Sequence, residues 1–243
     1  MQIKIYLENP SELRLPMDYG YRLSSAVYRL AASDGEYSAF LHDMGYGEDG
    51  RRYKLFTYSP LVGHYRTEGR SIVFDGDIFF EVRSISKRFC GAVRASLMSN
   101  GCVKLMDTVL RVKMVECGDN APYVPEAELR TLSPIVVSSS ADGKTVYCSP
   151  EDYRWEEMVN ATLSRKFAAA YDTAPPSAVR LTLCGKPKKV VTRVKGIWVT
   201  AYHARLGLSA HPQVTAFLYE TGIGSKNSQG FGMIELIDST INS

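Results

Sequence analysis

The sequence has no apolar run approaching the ~18 residues that a membrane-spanning helix needs, so no membrane partner is expected. Its opening, MQIKIYLENP, alternates like a strand and does not resemble a signal peptide. Cysteine is sparse and oddly counted. The five residues Cys90, Cys102, Cys117, Cys148 and Cys184 are scattered, and no two stand at C-x-x-C spacing. That excludes a disulfide framework and a cysteine metal site, and it fits reduced thiols in a cytoplasm. There are only four histidines and no H-E-x-x-H, so nothing points to zinc. The carboxylate pairs Asp75/Asp77 and Glu156/Glu157 have no third partner at a suggestive spacing. Two-metal chemistry needs such a set. No metal-ligating residues and no cofactor are therefore expected.

Acidic residues are absent from the whole stretch between Thr173 and Tyr219, which carries Arg180, Lys186, Lys188, Lys189, Arg193, Lys195 and Arg205. The net charge of the chain is only +3, so the imbalance is local. A basic stretch of this length suggests a polyanion partner, against the plainer alternative of a solvated strand face. The remaining composition, 45% hydrophobic and 23% charged over 243 residues, is that of one large or two small globular domains.

The periodicities predict a repeated order. Gln2 to Glu8 reads as a strand, and Tyr19 to Ala32 as a helix with Leu23, Ala26, Val27 and Leu30 on one face. Arg51 to Gly63 and Ser71 to Ile85 read as strands. Ser86 to Asn100 reads as a helix capped by Ser86 and ended by Gly101, and Val103 to Glu116 as one long strand. Strand, helix, strand, strand, helix, strand is the ferredoxin-like split motif. After a linker, GDNAPYVP, the order recurs: a strand at Leu129 to Ser138 and a helix at Glu151 to Tyr171. Two long strands between Val179 and Leu208, a short helix at Pro212 to Thr221 and a last strand at Met233 to Ile237 complete it. The fold class is α+β, with two tandem ferredoxin-like domains, 1–118 and 127–243.

The densest motif is ETGIGSKNSQGFGMIEL, where Gly222, Gly224, Gly230 and Gly232 bracket five polar residues. It is not a Walker loop, because a strand and not a helix follows. It tracks the RNA-binding strand motif but lacks that motif's basic residue and two of its aromatics. Placed at a helix C-terminus, it has the wrong dipole sign for phosphate. Bare glycine amides beside Lys226 can still form an anion nest. Ligand contact is the favoured reading; a compact turn packed on the domain interface is the alternative.

The loop Gly222-Ile223-Gly224-x5-Gly230-Phe231-Gly232 resembles, over its full length, the glycine-rich signature of the sixth CRISPR-associated protein family. These are the repeat-RNA processing endoribonucleases of the repeat-associated mysterious protein superfamily. The stretches from Tyr53 to Ser59, from Thr131 to Ile135 and from Lys186 to Lys188 agree. The resemblance runs from the first strand to the last. It implies cleavage of CRISPR repeat RNA without metal, by 2′-hydroxyl attack on the adjacent phosphate, leaving a 2′,3′-cyclic phosphate and a 5′-hydroxyl. It implies a triad in the first domain: Tyr28, His42 and Lys54. The insert GYGEDGRRY between His42 and Lys54 is longer than the family pattern.

The chemistry suits those residue types. Histidine titrates near pH ~6.5 and can give or take a proton at neutral pH. A lysine can stabilise the crowded phosphate. His42 is read as the main proton-transfer residue, Tyr28 as its partner and Lys54 as the charge stabiliser, with the acid and base roles left open. Tyr28 lies roughly 120° from the centre of its helix's apolar face, which frees its hydroxyl for a cleft. RNA binding is assigned to Lys186, Lys188, Lys189, Arg193 and Lys195 on the basic strands. Arg51 and Arg52 would help beside Lys54. In the glycine loop, Gly222, Gly224 and Gly230 would admit the RNA backbone, with Lys226, Asn227 and Gln229 as donors. The implied partner is CRISPR repeat RNA; a CRISPR effector complex and a second copy of the chain are further candidates. A non-catalytic RNA-binding subunit of an effector complex is the alternative function, and a nucleotide-binding enzyme a weaker one.

Overall fold

The computed structural model describes residues 1–33, 35, 45–47, 52–119, 121–141 and 143–237. The first half is built on β1 (Gln2–Glu8), β2 (Leu13–Pro16), α1 (Tyr19–Ala31), β3 (Phe56–Tyr58), β4 (Val62–Glu68) and β5 (Ser71–Ser84). It continues with α2 (Lys87–Asn100), β6 (Cys102–Leu105) and β7 (Thr108–Gly118). β1 lies between β5 and β7, and β3 pairs the far edge of β5, all antiparallel. That is the split βαβ order, in which the strand inserted between β1 and β3 comes from the following hairpin. β2 and β4 flank the N-terminal half of the long β5, and β6 extends the edge at β7. Along β1 the buried residues are Ile3, Ile5 and Leu7, the period of two expected of a sheet with one covered face. They meet Leu23 and Val27 of α1, Phe89 and Val93 of α2, and Phe56 and Phe80 in one core. The Ser86 hydroxyl accepts from Phe89 N at the start of α2, and Gly101, at φ 59°, ends it.

The second half repeats the order with β8 (Glu126–Thr131), α3 (Trp155–Tyr171), β11 (Arg180–Leu183), β14 (Arg205–Ser209), α4 (Pro212–Thr221) and β15 (Ile234–Leu236). The sheet order is β11-β14-β8-β15. Two hairpins are inserted: β9 (Ser138–Ala141) with β10 (Lys144–Tyr147), and β12 (Lys188–Val194) with β13 (Ile197–His203). The protein is thus two tandem ferredoxin-like units. No helix among the described residues is long and apolar enough to cross a membrane.

Four stretches predicted as strand are subdivided. Val103 to Glu116 is the hairpin β6–β7, which turns at Met106 in the left-handed region, φ 54°. Val179 to Leu208 is four strands and not two. Arg51 to Gly63 contributes β3 and the start of β4, separated where Pro60 has no N–H to give a ladder. The predicted Leu129–Ser138 strand is likewise broken, at Pro134, between β8 and β9.

The two units share a polar seam. Arg83 of β5 is 2% exposed. Its Nε donates to Glu81, its Nη1 donates to Ile234 O at 2.6 Å, and its guanidinium stacks 3.6 Å from the centroid of Tyr219. The N-terminal ammonium of Met1 donates to Glu220 and to Ser84 O. Leu55, just before β3, is buried in the core of the second unit.

Candidate active-site cleft

The glycine-rich loop leaves α4 and runs across the seam against β3 and α1. Backbone crowding accounts for its glycines. Gly224 has φ 72° and Gly232 φ 74°, and a Cβ at either would overlap a carbonyl oxygen, Val136 O and Ile223 O respectively. Phe231 is buried in a small cluster with Val136, Val194, Val199 and Ala201, and so is not a stacking platform. Gly230 packs on the Tyr58 ring, where an added Cβ would stand 3.0 Å from its Oη. Both readings of the loop therefore apply to different atoms: the glycines serve packing, and Lys226, Ser228 and Gln229 between them line a cleft.

That cleft has a volume of about 1260 Å³. It is walled by α1, the residues leading into β3, the β9–β10 hairpin, α3 and the glycine loop. Arg29, Arg52 and Lys54 line it from the first unit; Arg165, Lys166, Lys195 and Lys226 line it from the second. No carboxylate is among the described lining residues. Like charges gathered on one cleft raise the local potential and favour an anion.

Tyr28 and Lys54 both line this cleft. Tyr28 is half-buried on α1, its ring edge-on to Phe56 with centroids 5.4 Å apart. Burial pushes its pKa above the ordinary tyrosine value, opposed by the nearby Ser228 hydroxyl of the glycine loop. It is therefore a neutral phenol at physiological pH. Lys54 is held where the chain pairs Tyr46 with Tyr53, through reciprocal N–H···O bonds of 2.7 Å. Its ammonium lies against Gly45, 3.1 Å from where a Cβ would sit. Arg52 donates to Gly47 O on the same stretch. The ends of the long insert are thus pinned together. His42 and Arg51 lie outside the described residues.

The basic hairpin divides. Lys195, at its tip with φ 49°, reaches the cleft, whereas Lys186, Lys188, Lys189 and Arg193 are exposed and not among the lining residues. Arg193 donates to Gly196 O at 3.1 Å and lies 5.8 Å from the Trp198 ring centroid.

In the loop, Lys226 and Gln229 line the cleft, and Gln229 Oε1 is buried with no hydrogen-bond partner. Asn227 also borders it, but its amide groups are engaged internally. Nδ2 donates to Ile223 O and Phe231 O, each at 3.1 Å, and Oδ1 accepts from Lys166. Gly222 gives its carbonyl to the same lysine.

Sequence reasoning missed Arg29, Arg165, Lys166 and Ser228. Lys166 left a readable signal: it falls on the buried stripe of α3, after Val159 and Leu163 at helical spacing, where a cation is out of place. The other three left none beyond their polarity.

Residues 14–116 match the family described as "CRISPR-associated protein Cas6, N-terminal", and residues 120–236 the one described as "CRISPR associated protein Cas6, C-terminal". The chain is 26% identical over 229 residues to the CRISPR-associated endoribonuclease Cas6 of Pyrococcus furiosus, covering 92% of this chain and 84% of the relative. It is 25% identical over 248 residues to the CRISPR-associated endoribonuclease Cas6 1 of Methanocaldococcus jannaschii, covering 96% and 92%. The fold is similar to that of a solved "CRISPR associated protein Cas6", with TM-score 0.80, 23% identity and coverage of 98% and 99%. It is also similar to "An RAMP protein binding different RNA substrates", with TM-score 0.84, 18% identity and coverage of 98% and 100%. With one family half matched by each of its ferredoxin-like units, the chain belongs to the Cas6 family of CRISPR-associated proteins.

Proposed function

We propose that this protein is a metal-independent endoribonuclease that cleaves CRISPR repeat RNA to give mature guide RNA. The observation that carries the reading is that Tyr28 and Lys54 line one cleft, walled by cations from both units and by no described carboxylate. Curated relatives over nearly the whole chain are named CRISPR-associated endoribonuclease.

The reaction is a transesterification. The 2′-oxygen loses its proton and attacks the adjacent phosphorus, and the bond from phosphorus to the 5′-oxygen breaks. That oxygen takes up a proton, leaving a 2′,3′-cyclic phosphate and a 5′-hydroxyl. RNA is required because DNA lacks the nucleophile. His42 is the main proton-transfer residue. Tyr28, kept neutral by burial, suits donation to the leaving oxygen or to a phosphate oxygen better than it suits acting as a base. Lys54 supplies positive charge to the phosphate as it gains negative charge in the transition state. Arg52, Lys195 and Lys226 hold flanking phosphates, which position the strand without reading its sequence. Arg51 and the exposed hairpin cations, Lys186, Lys188, Lys189 and Arg193, extend that track. Gln229 is a polar partner facing the same cleft.

The five free thiols fit a cytoplasmic setting. Transfer of the product to an effector complex, and pairing with a second copy of the chain, are further parts of this reading. The test is single-turnover cleavage of repeat RNA by wild type, Tyr28→Phe and Lys54→Ala. Losses of ~10²-fold or more in both variants, with RNA affinity largely kept, are expected of groups that act in the transition state. Unchanged rates would remove both from the reaction.

A further inference from the structure

Lys166 is 3% exposed, on the buried side of α3. Its ammonium group donates to Thr221 O at 3.1 Å, Gly222 O at 2.7 Å and Asn227 Oδ1 at 3.0 Å. No carboxylate among the described residues pairs with it. Burying an unpaired cation costs several kcal/mol, and an apolar residue of similar volume would pack the same stripe without that penalty. Two features compensate locally: the three oxygens, and the negative end of α4, whose last carbonyls it meets.

The bonds are placed with respect to the cleft. Thr221 and Gly222 are where α4 ends and the glycine loop begins. Asn227 is the loop's internal clamp, tied to Ile223 and Phe231. The next residue, Ser228, lines the cleft together with Tyr28 of the other unit. The ammonium thus stands behind the loop segment that carries Ser228 to the cleft, opposite Tyr28 across the seam.

We infer that Lys166 is a positioning residue for RNA cleavage: its buried ammonium fixes the glycine-rich loop so that Ser228 holds the Tyr28 hydroxyl in the cleft. The inference rests on the cleavage reading proposed above. Burial draws the ammonium's pKa down to about 7, which is the electrostatic counterpart of the desolvation it suffers.

A residue that only stabilised α4 would affect melting temperature and leave the rate per folded molecule alone. A positioning residue affects the rate through Tyr28. Lys166→Met keeps the length and apolar volume and removes the charge. Displacing a reacting group by about 1 Å costs up to ~10²-fold. Single-turnover cleavage of repeat RNA by folded Lys166→Met should therefore fall by ~10–10²-fold, with RNA affinity nearly unchanged. In a Tyr28→Phe background the same substitution should cost little more, because the hydroxyl it positions is gone.

Wild-type cleavage together with an unchanged rate in Lys166→Met overturns this inference alone, and so does a full, multiplicative loss on top of Tyr28→Phe. Wild type that binds repeat RNA without cutting refutes the cleavage reading and this inference with it. If Lys166→Met does not fold, Asn227→Ala removes the loop's clamp while leaving Lys166 two carbonyl acceptors. Its rate should fall likewise, and an unchanged rate overturns the inference.

Discussion

Replacing Arg83 by methionine should loosen the two units from one another, and the magnitude can be worked from the seam. Methionine fills most of the arginine's apolar volume, so cavity formation is a small part of the cost. Three interactions disappear: the ion pair with Glu81, the 2.6 Å bond to Ile234 O, and the stack on Tyr219. The Glu81 side chain is only 10% exposed, and it would be left without its cation. Removing one partner of such a buried pair costs ~3–5 kcal/mol. For a chain of this size each kcal/mol lowers the melting temperature by ~2–4 °C, so the variant should melt about 6–20 °C below wild type. Thermal unfolding followed by circular dichroism reads this directly. The double variant Arg83→Met/Glu81→Met removes both charges and should recover most of the loss, because an apolar pair of similar volume is often as stable as a buried ion pair. A single variant that melts with wild type, or a double variant no better than the single, would refute the view that the stability of Arg83 at the seam rests on its buried pairing with Glu81.

Other outcomes follow from the cleft. Gly232→Ala places a Cβ on Ile223 O in a left-handed residue, so it should destabilise the protein by more than the ~1 kcal/mol of the backbone conformation alone; a neutral effect in urea unfolding would show that the loop relaxes. Neutralising both Lys195 and Lys226 should flatten the salt dependence of RNA binding, by ~0.7 in log–log slope for each single-strand phosphate that is no longer neutralised, and an unchanged slope would take both residues off the RNA. Burial raises the Tyr28 pKa, so its phenol stays protonated as pH rises through neutrality and loses its proton only above a tyrosine's ordinary range. Tyr28→Phe should therefore lower the cleavage rate at every pH from about 6 to 8 without moving the midpoint of the profile, and a shifted midpoint would make Tyr28 a titrating base.

Much of the fold was legible in the sequence, for identifiable reasons. Each of α1, α2 and α4 carries an apolar stripe or a clear terminus. Ser86 and Gly101 bound α2, and His211 caps α4 ahead of Pro212. The strands were harder where alternation runs unbroken through a tight turn. Met106 and Asp107 turn β6 into β7 without a glycine or proline to mark the place. The inserted hairpin β12–β13 merged with its neighbours for a similar reason. In the site, Tyr28 and Lys54 came from the family resemblance, and the place of Tyr28 off the apolar face of its helix agrees with the cleft it lines. The glycines of the loop were legible as a motif but not as packing, because the carbonyls that exclude a Cβ lie partly in another segment, at Val136. The seam left no local signal: Arg83 sits within an ordinary strand and its partners, Tyr219 and Ile234, are far along the chain.

The central claim is metal-free acid–base cleavage at this cleft. Its most direct test is cleavage of a CRISPR repeat RNA in EDTA by wild type and His42→Ala, with the 3′ end of the product identified. The account predicts that wild type cuts in EDTA and leaves a 2′,3′-cyclic phosphate. It also predicts that His42→Ala loses ~10²-fold or more in rate. Binding without cutting, or cutting that EDTA abolishes, would contradict it.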